Sequence, residues 1–132
     1  MAEFDYAYLA DFADTNSGKI TAVGASFTHI AAQSLPSQAS MAIAGRFSMK
    51  VDEDPAELNF VVEGPDGSFR LNFGGLLGPS GDVRPYGENG DKVGVLFAIN
   101  LQVPLPKAGL YVVLISLDDE LVRRLAFDVE AG

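Results

Sequence analysis

The feature that most constrains the fold is an alternation of apolar and polar residues with a period of two, which recurs along most of the chain. Between residues 41 and 51 most of the apolar side chains occupy odd positions, whereas Arg46, Ser48 and Lys50 occupy even ones. Successive side chains of a β-strand point to opposite faces, so this pattern is typical of a strand with one buried face. Apolar residues at helical spacing are nearly absent. The sequence therefore predicts an all-β protein.

Turn residues divide the apolar runs into eight predicted strands. The runs cover roughly residues 4–12, 19–32, 41–51, 58–62, 69–73, 93–103, 111–115 and 121–129. Short strands with turns at regular spacing are typical of two packed sheets. We predict a single domain over residues 1–132, an antiparallel two-sheet sandwich of about eight strands of the immunoglobulin-like type. A closed β-barrel is the alternative.

Glycine, proline and small polar residues define the connections. The turn at Asp14–Gly18 predicts a hairpin between the first two strands, with a bulge near Gly24 in the second. The Gly64–Gly67 turn predicts a second hairpin, because proline presets one turn position and glycine accepts positive φ at another. Residues 74–91 hold six glycines and two prolines, and they are predicted to be a flexible loop that either binds a ligand or is simply mobile.

The amino-acid composition argues against several kinds of site and partner. The chain has no cysteine, which excludes a thiol nucleophile, thiolate metal sites and disulfides. The single histidine, His29, is in phase with Phe27 and is expected to be a rim or core side chain. A net charge of −9 repels a phosphate backbone, so we expect no nucleic-acid partner. We predict that the protein is not an enzyme and carries no cofactor. A carboxylate hydrolase is the less favoured alternative, because acids on turn tips rarely face each other across a cleft.

No segment of the sequence resembles a membrane anchor or an export signal. The most apolar stretches, residues 93–101 and 110–117, are half or less of the roughly 20 residues that a spanning helix requires. The first residues include Glu3 and Asp5, whereas a secretory signal begins with basic residues. We expect no membrane span and a cytoplasmic location.

Acidic residues concentrate in the connections that follow the odd-numbered predicted strands. In an antiparallel sandwich these connections lie at one end of the molecule. That end would collect ten of the 18 acidic residues against one base, Arg84. The ten are Asp14, Asp52, Glu53, Asp54, Asp82, Glu88, Asp91, Asp118, Asp119 and Glu120.

Two interpretations of this acidic end compete. Exposed turns favour Asp for local hydrogen bonding and for solubility, which is the simpler reading. The alternative is a module that binds calcium or a basic partner, because Ca²⁺ takes six to eight hard oxygen ligands. The candidate metal ligands are Asp52, Asp54, Asp118 and Glu120.

We predict a non-enzymatic interaction or structural module whose partner is another protein or a second copy of the chain. Six apolar residues lie opposite the predicted core rows and would drive self-association if they were exposed: Ala7, Leu9, Ala42, Ala44, Val112 and Leu114. Tyr6 and Tyr8 are expected to pack in the core, with an aromatic binding surface as the alternative.

Two motifs point to a family. The opening strand reads Asp-Tyr-Ala-Tyr-Leu-Ala-Asp from Asp5 to Asp11, and a late corner runs from Pro106 to Tyr111. With its neighbouring segments, this pair resembles an uncharacterised family of small bacterial β-sandwich proteins, a domain of unknown function. The resemblance spans most of the chain and implies a fold without an activity or catalytic residues. The corner itself predicts that the Tyr111 hydroxyl bonds to a backbone carbonyl, as in tyrosine corners.

Overall fold

The structure, a computed structural model, describes residues 2–79 and 84–131 and is all-β. Its ten strands are β1 (Glu3–Ala10), β2 (Phe12–Asn16), β3 (Lys19–Val23), β4 (His29–Ala32), β5 (Ser37–Lys50), β6 (Ala56–Glu63), β7 (Arg70–Leu77), β8 (Lys92–Leu105), β9 (Gly109–Leu117) and β10 (Glu120–Ala131). A short 3-10 turn, Pro65–Gly67, joins β6 to β7. No helix in the described part of the chain is long and apolar enough to cross a membrane.

Two larger sheets share one hydrophobic core. The first sheet has the order β1-β5-β8 and the second the order β4-β10-β9-β6-β7, while β2 and β3 form a separate hairpin. None of the sheets closes into a barrel, so the barrel alternative is wrong. The core joins Ile43, Phe47 and Phe97 of the first sheet to Phe60 and Tyr111 of the second. The alternation of β5 is confirmed, because its odd positions supply its share of this core.

The opening segment differs from the prediction. The first predicted strand divides into β1, which pairs with β5, and β2, which pairs with β3. The predicted bulge near Gly24 is instead a break, because Gly24 and Ser26 both adopt positive φ and end the strand after Val23. The chain then joins the second sheet as β4, which pairs in parallel with β10. The sheets are therefore not wholly antiparallel.

The β6–β7 hairpin is confirmed. Glu63 pairs with Arg70, and the turn between them has positive φ at Asp66 and Gly67. Strand β7 continues to Leu77, so Gly74 and Gly75 belong to a strand rather than to the predicted loop at 74–91. Residues 80–83 of that loop lie outside the described residues, and its predicted flexibility stays a prediction.

Tyr111 forms the expected corner. Its ring is fully buried and stacks on Phe127 with the centroids 5.3 Å apart. Its hydroxyl donates to the carbonyl oxygen of Lys107 at 2.7 Å and accepts from the amide of the same residue at 3.4 Å. The side chain therefore ties the β8–β9 connection to the core of the second sheet.

Replacing Tyr111 with Phe should destabilise the fold while keeping its packing. The ring would remain, but the Lys107 carbonyl and amide would lose their partner, and a typical hydrogen bond contributes about 1 kcal/mol. Urea denaturation measures the change. Tyr86→Phe is the matched control, because Tyr86 is 42% exposed and should tolerate the same deletion.

The outer face of the first sheet is covered by the β2–β3 hairpin. Small side chains allow the close approach: Ala10, Ala13, Ala42 and Ala44 are fully buried, with Ala98 packed against them. Asn100 fastens the hairpin, since its side-chain amide donates to the carbonyl of Ala13 at 2.8 Å and its Oδ1 accepts from the Ala13 amide at 3.3 Å. We call the contact among Ala10, Ala13, Ala42, Ala44 and Ala98 the alanine seam.

The alanine seam corrects part of the self-association hypothesis. Ala42 and Ala44 are covered by the hairpin and are unavailable to a partner. Leu9 lies in the main core, with Ala7 packed against it, because β1 has the opposite phase to the one predicted. Val112 and Leu114 remain half-exposed on the outer face of the second sheet.

Enlarging the alanine seam should release the hairpin without unfolding the sheets. Ala42→Leu adds three carbons where the native side chain has no exposed surface, and overpacking of this kind costs about 1–3 kcal/mol. Amide hydrogen exchange should therefore accelerate in β2 and β3 and change little in β9. Ala31→Leu, at an exposed position, is the control. Uniform acceleration throughout the chain would contradict a locally attached hairpin.

Candidate functional site

A groove of about 850 Å³ lies on the outer face of the first sheet, where the hairpin turn overhangs it. Its floor is formed by β1, β5 and β8, one wall by the β2–β3 turn, and the other by the segment that leads into β8. The lining residues are Tyr6, Thr15, Asn16, Ser17, Gly18, Lys19, Ile20, Arg46, Gly78, Arg84, Tyr86, Gly94, Val95 and Leu96. We call this the outer groove.

The outer groove is positively charged in an otherwise acidic protein. Lys19, Arg46 and Arg84 line it from three different segments. No acidic side chain is among its described lining residues. Arg46 is paired with Asp5, so the local positive excess comes mainly from Lys19 and Arg84, and it is opposite to the net charge of −9 of the whole chain. The groove is therefore suited to a negatively charged group.

Arg46 is held in a fixed orientation. Its Nε donates to Oδ2 of Asp5 at 2.9 Å, and its guanidinium lies 5.5 Å from the ring centroid of Tyr6. The hydrogen bond that Arg46 donates to Asp5 is the main reason that the pKa of Arg46 is raised above its ordinary value. Within the described residues, its terminal Nη groups form no hydrogen bond or ion pair. They are available to an anion in the groove.

Tyr6 and Tyr8 share the outer side of β1. Their rings are stacked with centroids 6.4 Å apart, and Tyr6 is 39% exposed. Burial is the main cause that raises the pKa of Tyr8, with the neighbouring Tyr6 adding to it. The aromatic-surface alternative therefore describes Tyr6 better than core packing does.

The remaining lining supplies neutral hydrogen-bonding groups. Thr15, Asn16 and Ser17 belong to the predicted hairpin turn, in which the Ser17 hydroxyl donates to Oδ1 of Asn16 at 3.1 Å. Gly94 keeps the floor open, since an added Cβ would lie 3.4 Å from Cδ of Arg46. The groove thus combines cations with hydroxyl, amide and aromatic groups.

Sequence reasoning missed the outer groove. The alternation placed Arg46 on the solvent side of its strand, but nothing in the sequence paired it with Asp5, 41 residues away. Arg84 was recognised only as the single base among acidic connections. The turn at residues 14–18 was predicted correctly. The position of its hairpin over the outer face of the first sheet was not predicted.

The acidic end is confirmed for three of its four connections. Lys50 pairs with Lys92, Ala56 with Leu77 and Leu58 with Leu117, so the connections after β5, β7 and β9 leave from the same end of the two sheets. The fourth, the β2–β3 turn, lies over the face of the first sheet and lines the outer groove, as do Gly78, Arg84 and Tyr86 of the β7–β8 connection. Asp82 of that connection lies outside the described residues. The β2–β3 turn was misplaced because β2 leaves the first sheet after β1 and pairs with β3.

The structure does not assemble the predicted calcium ligands. Across residues 2–79 and 84–131, which include Asp52, Asp54, Asp118 and Glu120, no group of three acidic or histidine side chains is arranged to hold a metal ion. Asp118 has a structural partner: its Oδ1 accepts the amide of Glu57 at 2.9 Å, and its own amide donates to the Glu57 carbonyl at 2.8 Å. His29 is exposed rather than packed in the core or at its rim.

Two substitutions of Asp118 should separate a structural role from metal binding. Asp118→Ala removes the acceptor for the Glu57 amide and should lower the free energy of unfolding by about 1 kcal/mol. Asp118→Asn keeps an acceptor oxygen and should cost less, although it removes the charge that a calcium ligand would need. Thermal denaturation with and without millimolar calcium measures both effects. A calcium-dependent stabilisation that Asp118→Asn abolishes would contradict the structural role.

Comparison with known proteins gives a family match and a distant similarity to solved structures. No curated protein matches the sequence. Among solved structures, the chain is similar to Pseudomonas fluorescens alkylpurine DNA glycosylase AlkC bound to DNA containing an abasic site analog, with 10% sequence identity and a TM-score of 0.46. The similarity covers 79% of this chain but only 28% of that one. A likeness this distant assigns neither activity nor ligand.

The family comparison covers nearly the whole chain. Residues 5–130 match a family of unknown function, DUF6941. The match includes both motifs, the strand from Asp5 to Asp11 and the corner at Pro106–Tyr111, so their resemblance to a domain of unknown function is confirmed. The protein belongs to the DUF6941 family.

Proposed function

We propose that the protein is a non-enzymatic binding module on an immunoglobulin-like frame, and that its outer groove binds a negatively charged group of the ligand. The observation that carries the proposal is the convergence of Lys19, Arg46 and Arg84 on one groove in a chain of net charge −9. A carboxylate or a phosphate group is the chemistry that such a site would recognise.

Arg46 is the residue best prepared for this role. A guanidinium presents its donors in a planar fork that matches two oxygens of an anion. Asp5 uses only Nε and so fixes the plane of the group without occupying its outer donors. Because Arg46 is already ordered by Asp5 and Tyr6, binding would cost less side-chain entropy than at a mobile arginine.

The composition of the lining favours binding over catalysis. Cations, hydroxyls, an amide and two tyrosines face the groove, and its described lining has neither a carboxylate nor an imidazole to act as a general base near neutral pH. The tyrosine rings offer flat contact surfaces beside the charged groups. These groups support recognition of an anionic ligand that also carries polar or planar parts.

Binding of small anions tests the proposal. We expect citrate or inorganic phosphate to shift the amide NMR signals of Ser17, Gly18 and Gly94 selectively. Arg46→Gln should weaken the affinity about tenfold, because hydrogen bonds to charged groups contribute about 1.5–3 kcal/mol. Comparing citrate with phosphate, and both with a short glutamate-rich peptide, identifies which anion the groove prefers.

A matched control removes the same charge elsewhere. Arg70 is exposed on β7, in the other sheet, and Arg70→Gln changes the net charge as Arg46→Gln does. Lys19→Gln provides a second groove variant that leaves the Asp5–Arg46 bond intact. Equal loss of affinity in all three variants would show a general charge effect, and signal shifts outside the groove would refute the site.

A further inference from the structure

The outer face of the second sheet is the counterpart of the surface beneath the hairpin, but no described segment covers it. Its apolar residues are Val61, Leu110, Val112, Leu114 and Ala126, which we call the open face, and the half-buried Glu63 lies beside Val112 on the same row. These residues are neighbours across strands, since Val61 pairs with Leu114 and Val112 with Ala126. Leu110 is 46% exposed and the other four are half-buried.

Two unpaired charges flank the open face in a symmetrical arrangement. Arg124 pairs across the strand with Leu114, and Asp128 pairs with Leu110. Ala126 lies midway between them on β10, so the two charges stand about 7 Å on either side of it along the strand. Both side chains are exposed, and neither forms an ion pair or a side-chain hydrogen bond within the described residues.

We propose that the open face binds a second copy of the same chain, related by a two-fold axis. The axis lies midway between the open faces of the two copies and is parallel to both sheets. It runs perpendicular to the strands and passes over the row formed by Ala126 and Val112. This rotation reverses the strand direction of the partner. It places Val112 against its own copy and brings Leu110 over Leu114 of the partner subunit. Glu63, on the same row, also meets its own copy, and Arg70, its cross-strand neighbour, lies beside the two carboxylates.

The same axis brings opposite charges together. Reversing the strand about Ala126 exchanges the positions of Arg124 and Asp128, so Arg124 of one copy faces Asp128 of the partner subunit. The symmetry repeats the pair, giving two identical ion pairs at the edge of the apolar centre. Arg124 and Asp128 are therefore self-complementary, as a two-fold interface requires. It favours a second copy over an unrelated partner.

The geometry agrees with the known packing of sheets. Two sheets that pack face to face keep their strands within about 30° of one another, with about 10 Å between the layers. A two-fold axis perpendicular to the strands gives aligned strands that run in opposite directions. The Arg124 side chain is long enough to reach Asp128 of the partner subunit when the twist of the sheets rotates the strands relative to each other. The outer groove lies on the other side of the molecule, so each copy keeps its groove open. This proposal is therefore independent of the proposed function.

Charge reversal provides a strict test by sedimentation equilibrium. Arg124→Asp would place like charges together at both pairs and should weaken the dimer at least tenfold, in line with the cost of like charges at an interface. The double variant Arg124→Asp with Asp128→Arg should restore the wild-type association to within about threefold, because the reversed pairs are again complementary. Lys50→Asp, outside the open face, changes the net charge as Arg124→Asp does and should leave association unchanged.

A cross-linking experiment locates the axis. The chain has no cysteine, so Val112→Cys introduces a single thiol where the two copies should meet. A short bis-maleimide should join this variant into covalent dimers, whereas Ser17→Cys, in the hairpin turn on the opposite side, should stay uncoupled. Circular dichroism confirms that each variant is folded. A wild-type protein that sediments as a monomer at about 100 μM, or a dimer that Arg124→Asp leaves intact, would overturn the proposal.

Discussion

The arrangement depends first on the alanine seam, where the β2–β3 hairpin approaches the first sheet closely enough to form a third layer. Side chains larger than alanine at Ala42 or Ala44 would hold the hairpin away. The Asn100 amide then supplies the two hydrogen bonds that a neighbouring strand would have given to Ala13. Because the hairpin turn is one wall of the outer groove, the packing of small residues is what creates the proposed binding site.

The long strands β5 and β8 lie between two layers because both of their faces are covered: one by the main core and the other, in part, by the β2–β3 hairpin. Odd positions such as Phe47 and Phe97 fill the main core, and even positions such as Ala44 and Ala98 meet the hairpin. Farther along the same even rows, the hairpin ends and Arg46 and Leu96 face the groove. One alternation therefore specifies the core, the seam and the floor of the site.

What the sequence predicted well is local. The alternation of β5, the turn at Gly64–Gly67 and the bonded hydroxyl of Tyr111 each follow from a few adjacent residues, and each is present. The errors concern which distant segments meet. The pairing of β1 with β5 and the parallel pairing of β4 with β10 depend on the packing of whole sheets, which no short motif encodes. The Asp5–Arg46 bond, and with it the groove, was invisible for the same reason.

Charge separates the surfaces of the molecule. Eight acidic residues of the described chain lie in or next to the connections after β5, β7 and β9, whereas Arg46 lies on the outer face of the first sheet. At physiological ionic strength the Debye length is about 8 Å, so the acidic end acts on a ligand mainly at close range. An anion in the groove would meet the outer donors of Arg46, whose Nε is already held by Asp5. The net negative charge opposes the approach of any anion, so the proposed site depends on short-range contacts with Arg46.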